Sequence, residues 1–142
     1  MAHPTDRLFV YGTLMPGTGH PMAARLAAES RVLGPGSVAG RLYDFGAWPG
    51  ALPCEAAADR VHGILLRLID PERSLPWLDA YEGASETDPE PRAFERVIVP
   101  VRLRSGRQVD GWIYYYRGRA SRARLIPGGW YTARKALAAG RS

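Results

Sequence analysis

Residues 94–116 read FERVIVPVRLRSGRQVDGWIYYY. Two β-rich runs, Phe94–Arg104 and Arg107–Tyr116, are parted only by Ser105-Gly106, and so short a break with a glycine in it predicts a tight hairpin. On the second run Trp112, Tyr114 and Tyr116 share one face by period-two alternation, which suits an aromatic core or the wall of a pocket. Outward from this hairpin the chain alternates short strands with turn signals. Arg7 to Tyr11 is a strand stopped by Gly12, and Ser37–Phe45 and Arg60–Ile69 read as two more. Gly34, Pro35 and Gly36, then Gly46, Pro49, Gly50 and Pro53, read as punctuation between them.

Two short helices complete the pattern. Pro21 suits the first position of a helix through Met22, Leu26 and Glu29. Asp70 to Ser74 opens a second, which runs through Leu75 and Leu78 to Tyr81 and ends at Gly83. Five or six strands without long helical crossovers predict a mixed α/β (α+β) fold, a small antiparallel or mixed sheet curled toward a barrel.

The 142 residues are 46% hydrophobic and 23% charged, a globular composition. That length predicts a single domain over 1–142. No run approaches the roughly 18 to 20 apolar residues of a membrane span, and Met1–Arg7 lacks the basic-then-apolar order of a secretion signal. The only cysteine, Cys54, excludes an intramolecular disulfide framework and a multi-cysteine metal site, so a reducing cytoplasm is the expected compartment. Charge is uneven: net −5 over 1–91 and net +10 over 92–142. Arg117, Arg119, Arg122 and Arg124 lie in a short connecting stretch without a nucleic-acid motif, so a solvated surface is expected rather than a nucleic-acid partner.

The loop Gly12 to His20 fails as a nucleotide motif. It has Thr18-Gly19 where a P-loop needs Lys-Ser/Thr, and Met22 where a dinucleotide fingerprint needs glycine or alanine. A glycine straight after a buried strand still leaves backbone amides able to hold an oxyanion or a carboxylate, although most loop glycines are structural. Glu82 is the more unusual residue. With Leu75 at 0° on a helical wheel, Leu78 falls at about 300°, Tyr81 at about 240° and Glu82 at about 340°. The carboxylate thus lies inside the apolar stripe, where low dielectric raises its pKa toward neutrality and suits it to general acid–base work. If the helix frays at Gly83, the same side chain simply reaches water. No two of His3, His20 and His62 have metal-ligand spacing, and Cys54, with no histidine nearby in sequence, reads as inert.

Tyr11-Gly12-Thr13-Leu14 after a strand, with Leu78-Asp79-Ala80-Tyr81-Glu82-Gly83 far downstream, resembles the gamma-glutamylcyclotransferase-like family. Leu42-Tyr43 to Trp48-Pro49-Gly50-Ala51, Val61-His62-Gly63, Phe94-Glu95-Arg96, Trp112-Ile113-Tyr114 and Ile126-Pro127-Gly128-Gly129-Trp130 continue the likeness in order, from about Leu8 to Trp130. Two departures stand out. Phe94 replaces the commoner tyrosine, so any hydrogen bond made there is absent or comes from Tyr114 or Tyr116. Ala84 to Pro91, with Glu86, Asp88 and Glu90, is an acidic insertion, a surface loop or a lid.

The resemblance implies a small β-barrel with a cavity at its mouth. It implies cleavage of a γ-glutamyl amide by the substrate's own α-amine, releasing 5-oxoproline and an amine or amino acid. Glu82 then matches the catalytic glutamate, and Tyr11, Gly12, Thr13, Leu14, Trp48, Pro49 and Tyr114 are the expected substrate-binding residues. No metal or organic cofactor is implied, and the partner is a small γ-glutamyl compound, with no membrane. The alternative is a binding protein of the same fold that performs no chemistry.

Overall fold

The protein is described from a computed structural model over residues 4–46, 48–54, 58–84, 93–118 and 123–131. In chain order the elements are β1 (Arg7–Val10), α1 (Pro21–Ala28), β2 (Ser30–Ala39), β3 (Arg41–Asp44), β4 (Pro49–Leu52), β5 (Arg60–Leu68), α2 (Pro71–Glu82), β6 (Phe94–Leu103), β7 (Gln108–Tyr116) and β8 (Arg124–Leu125). A single 3-10 turn, Pro127–Gly129, follows.

The expected curled mixed sheet is present, and it closes. Antiparallel pairing runs β1-β5-β2-β6-β7, and a parallel contact of Leu8 with Trp112 joins β7 back to β1. The result is a five-stranded barrel. Beyond it β4, β3 and β8 extend from β7, starting with a parallel contact of Ala51 with Tyr115. Leu8, Phe9, Val38, Val61, Leu65, Val101 and Ile113 are among its buried residues. Each such apolar side chain contributes about 1.5–3 kcal/mol on burial. Leu65 and Leu66 are both buried although they point to opposite faces of β5, so that strand has core on both sides.

Several sequence expectations need correction. The described residues form eight strands, not five or six. Gly34-Pro35-Gly36 does not interrupt the chain: β2 passes through it, with a register shift between Val32 and Gly34. A glycine-marked bulge absorbs the turn signal without ending the strand. The strand read as Ser37–Phe45 is two strands that part at Gly40. Pro49-Gly50, read as punctuation, opens β4, because proline is tolerated as the first residue of a strand. The β6–β7 hairpin has a three-residue loop, Arg104 to Gly106, with Leu103 N–H donating to the Arg107 carbonyl.

The helices lie where the sequence puts them. His20 caps α1, its Nδ1 accepting from Met22 N–H at 3.1 Å. At the far end of α1, the Glu29 carboxylate accepts from Ser74 Oγ (2.6 Å) and Trp77 Nε1 (3.0 Å) on α2. These bonds hold its pKa down and latch the two helices together. Leu75 and Leu78 bury the inner face of α2, and Gly83 ends it in the left-handed region (φ 67°). There a Cβ would be strained.

Candidate active site

The buried strand β1 delivers Tyr11 to Leu14 to one end of the barrel. The Tyr11 hydroxyl donates to the Tyr114 carbonyl at 2.6 Å and accepts from Ala51 N–H at 3.1 Å. It therefore staples the seam where β1, β7 and β4 meet, a structural task that the sequence did not reveal. Met15 N–H closes a turn onto the Gly12 carbonyl (3.0 Å), and Thr18 Oγ1 donates to the Thr13 carbonyl (2.7 Å). Among the described residues no hydrogen bond uses the amides of Gly12, Thr13 or Leu14. At Gly12 a Cβ would lie 2.7 Å from Pro49 Cγ, so glycine lets the loop pack on β4.

These residues, with the end of α2 and β7, surround a cavity of about 410 Å³. All eight sequence candidates line it: Tyr11, Gly12, Thr13, Leu14, Trp48, Pro49, Glu82 and Tyr114. Phe94 completes an aromatic wall, edge-on to Trp48 with ring centroids 5.5 Å apart. Behind them Phe45 stacks on Trp48 at 4.6 Å and Tyr116 packs on both. The three aromatics that alternate along β7, Trp112, Tyr114 and Tyr116, thus part company. Tyr114 faces the cavity and Tyr116 backs its wall. Trp112 lies under Arg96 and donates to the Thr5 carbonyl.

Glu82 is the single formally charged side chain among the described lining residues. It is the last residue of α2, and the helix does not fray before it. The carboxyl faces the cavity and keeps some exposure there, yet protein atoms crowd it closely enough to strip most of its hydration. Desolvation pushes it up from 4.5 to about 7, with no hydrogen bond or cation among the described residues opposing the rise. The phenols of Tyr11 and Tyr114 are also pushed up, chiefly by burial and partly by nearby carboxylates. They stay neutral throughout the physiological range. A lone carboxyl of this kind can accept a proton and return it near pH 7.

The other candidates lie elsewhere. His62 stacks on Trp130 (5.4 Å) and lines a different hollow, while the His20 Nε2 meets the Tyr81 hydroxyl at 3.2 Å. Cys54 is half-buried with its Sγ 3.7 Å from Asp59 Oδ2. Most of the acidic insertion (85–91), and Arg119 and Arg122, lie outside the described residues. Sequence reasoning missed Asp79 and Arg96. Asp79 accepts from the Tyr114 hydroxyl at 2.7 Å, which commits that phenol's proton away from any ligand in the cavity.

A family model described as gamma-glutamyl cyclotransferase, AIG2-like, matches residues 8–133. No curated protein matches the chain in sequence. Among solved structures, an AIG2-like protein from Mus musculus superposes with TM-score 0.70 at 22% identity, covering 92% of this chain and 90% of that one. YkqA from Bacillus subtilis gives 0.65 at 21% identity over 89% of this chain, which spans only 39% of the YkqA chain. A protein named gamma-glutamyl cyclotransferase gives 0.60 at 15% identity, over 87% and 72% of the two chains. At these identities the likeness is one of fold, and function has to be argued from the site.

Proposed function

The chain belongs to the gamma-glutamyl cyclotransferase, AIG2-like family, and from that premise we propose that it cleaves a γ-glutamyl amide by intramolecular attack, releasing 5-oxoproline and an amine or amino acid. The observation that carries this reading is Glu82: a carboxyl pushed up to about 7, the one formally charged side chain among the described residues that line the cavity. Its carboxylate takes a proton from the substrate's α-ammonium. The freed amine attacks the γ-carbonyl carbon, a C–N bond forms, and the carbonyl electrons move to oxygen. The unused amides of Gly12, Thr13 and Leu14 donate to that oxyanion or to the substrate's carboxylate. When the oxyanion collapses, the amide C–N bond breaks and the Glu82 carboxyl hands its proton to the departing nitrogen; the ring nitrogen gives up its second proton to the emptied carboxylate, which passes it to the released amine and is regenerated. One group serves all these transfers because its pKa lies near the working pH.

The nucleophile resides in the substrate, so the protein needs neither serine nor cysteine, and closure of a five-membered ring has a large proximity advantage. The aromatic wall of Trp48 and Phe94 excludes water from the reacting bond. On this reading the protein works in the cytoplasm on small molecules.

The test is incubation with a panel of γ-glutamyl amides and detection of 5-oxoproline by mass. Glu82→Gln keeps the shape of the side chain but cannot titrate, and turnover drops by roughly two to four orders of magnitude. A near-wild-type rate in that variant refutes the assignment. Tight binding of the amides without 5-oxoproline formation selects instead a binding protein that performs no chemistry.

A further inference from the structure

Three residues before Glu82 on α2, Asp79 is held from the sheet by three hydrogen bonds. Arg96 on β6 meets it fork to fork, Nε to Oδ1 at 2.7 Å and Nη2 to Oδ2 at 3.0 Å. Tyr114, directly opposite Arg96 in the β6–β7 register, donates its hydroxyl to the same Oδ1 at 2.7 Å. The guanidinium in turn lies over the Trp112 ring, 4.2 Å from its centroid. Both side chains of the ion pair are only 18% exposed, so this is not a solvated surface pair. Asp79 also accepts Ala84 N–H at its backbone carbonyl (2.8 Å), which ties the helix end to the same residue.

We propose that Arg96 is a positioning residue for the reaction: by clamping Asp79 it fixes the last turn of α2 and cancels the Asp79 charge, leaving Glu82 as the one uncompensated charge among the described residues at the cavity. The inference rests on the reading of Glu82 as the acid–base group. Its geometric half follows from the fork. A bidentate guanidinium–carboxylate pair sets orientation as well as distance, and here it sets the turn from which Glu82 projects. Its electrostatic half follows from spacing. Side chains three apart on a helix are neighbours, with Cβ atoms about 5–6 Å apart. An unpaired Asp79 would therefore repel the Glu82 carboxylate and hold its proton to higher pH. No other group can take over that compensation among the described residues. Glu82 is otherwise faced by the phenols of Tyr11 after β1, Tyr81 on α2 and Tyr114 on β7, all neutral in the working range.

The test reads Glu82 without substrate. Its side-chain carboxyl is titrated by ¹³C NMR, the resonance being identified by its loss in Glu82→Gln. Relative to wild type, Arg96→Met raises the midpoint by roughly one pH unit, and Asp79→Asn, which leaves the guanidinium unpaired, lowers it by a similar amount. The double variant, with both charges gone, returns close to wild type. Arg96→Lys keeps the charge but not the fork, so its midpoint stays while kcat falls about tenfold and KM holds. Equal midpoints in all variants, or single variants that move in the same direction, overturn the electrostatic half; a full rate in Arg96→Lys overturns the positioning half. If Arg96→Met does not fold, Asp79→Asn against the double variant still decides, since a midpoint no lower than the double variant's refutes the proposal. Failure of the acid–base reading is separate, being read from the turnover of Glu82→Gln.

Discussion

Glu82→Gln should make the folded chain more stable above about pH 4.5, with the gain reaching its full size near pH 7. The carboxyl titrates near 7 in the folded chain and at 4.5 as a free side chain, because the cavity desolvates it without offering a partner. Below about pH 4 both folded and unfolded chains carry the proton, and the residue contributes nothing to pH dependence. As pH rises through 4.5 the unfolded chain releases its proton while the folded chain retains it. Folding stability therefore falls with pH until the folded carboxyl also ionises near 7, and is flat beyond. At about 1.4 kcal/mol per pH unit, the window amounts to about 3 kcal/mol lost by wild type. Glutamine does not titrate and is spared that loss. Urea unfolding followed by tryptophan fluorescence, in steps from pH 4 to pH 8, gives the difference between variant and wild type, in which all other titrations cancel. The variant's advantage should grow across the window and level off above 7. A difference that is flat with pH would show Glu82 to be solvated, and a wild type that gains stability over the variant as pH rises would reveal a cation bound beside it.

Three further outcomes follow from the same geometry. The kcat/KM profile for γ-glutamyl amides should rise with pH through an acid limb near 7 that stays fixed across substrates of different amine pKa; a limb that tracks the substrate belongs to its ammonium and not to Glu82. Tyr11→Phe strands the Tyr114 carbonyl and the Ala51 N–H at the β1–β7–β4 seam and should destabilise the fold by about 1–3 kcal/mol, measured by chemical denaturation; an unchanged midpoint would show that neighbouring groups or water replace the hydroxyl. Gly12→Ala should cost stability as well as turnover, about 1–3 kcal/mol, because its methyl meets Pro49. Adding Pro49→Ala should recover the stability, and a Gly12→Ala variant of full stability by itself would refute the contact.

What the sequence made legible was whatever local pattern decides. The β6–β7 hairpin is readable because two runs of β-branched and aromatic residues are separated by a glycine-bearing turn. The helix α2 is readable because Pro71 opens it and only a residue tolerant of left-handed geometry, Gly83, can close it. Where long-range pairing decides, the reading failed. Pro49–Leu52 is too short and too rich in turn residues to declare itself a strand, and it exists because Arg41–Asp44 pairs with it on one side and Tyr115 on the other. Closure of the barrel brings β1 against β7, where Leu8 pairs with Trp112 more than 100 positions away, which no local periodicity can announce.

The site divides along the same line, with a consequence for its chemistry. Glu82 was legible because a charge inside an apolar stripe is a local contradiction, and the fold resolves it by placing a cavity there rather than a partner. The contacts that make the contradiction usable were not legible. Tyr11 meets the Tyr114 carbonyl across 103 residues, and Asp79 meets Tyr114 across 35 and Arg96 across 17. Each of these four residues looks ordinary in its own stretch of sequence. Asp79 carries no local sign of its partner, yet it is the paired one. Two acidic side chains three residues apart on one helix end thus reach opposite electrostatic states: one neutralised by a guanidinium fork, the other left to burial alone. A carboxyl that must both take and give a proton near pH 7 requires that asymmetry, because a salt bridge to Glu82 would stabilise its ionised form and return its pKa to the range of an ordinary carboxylate.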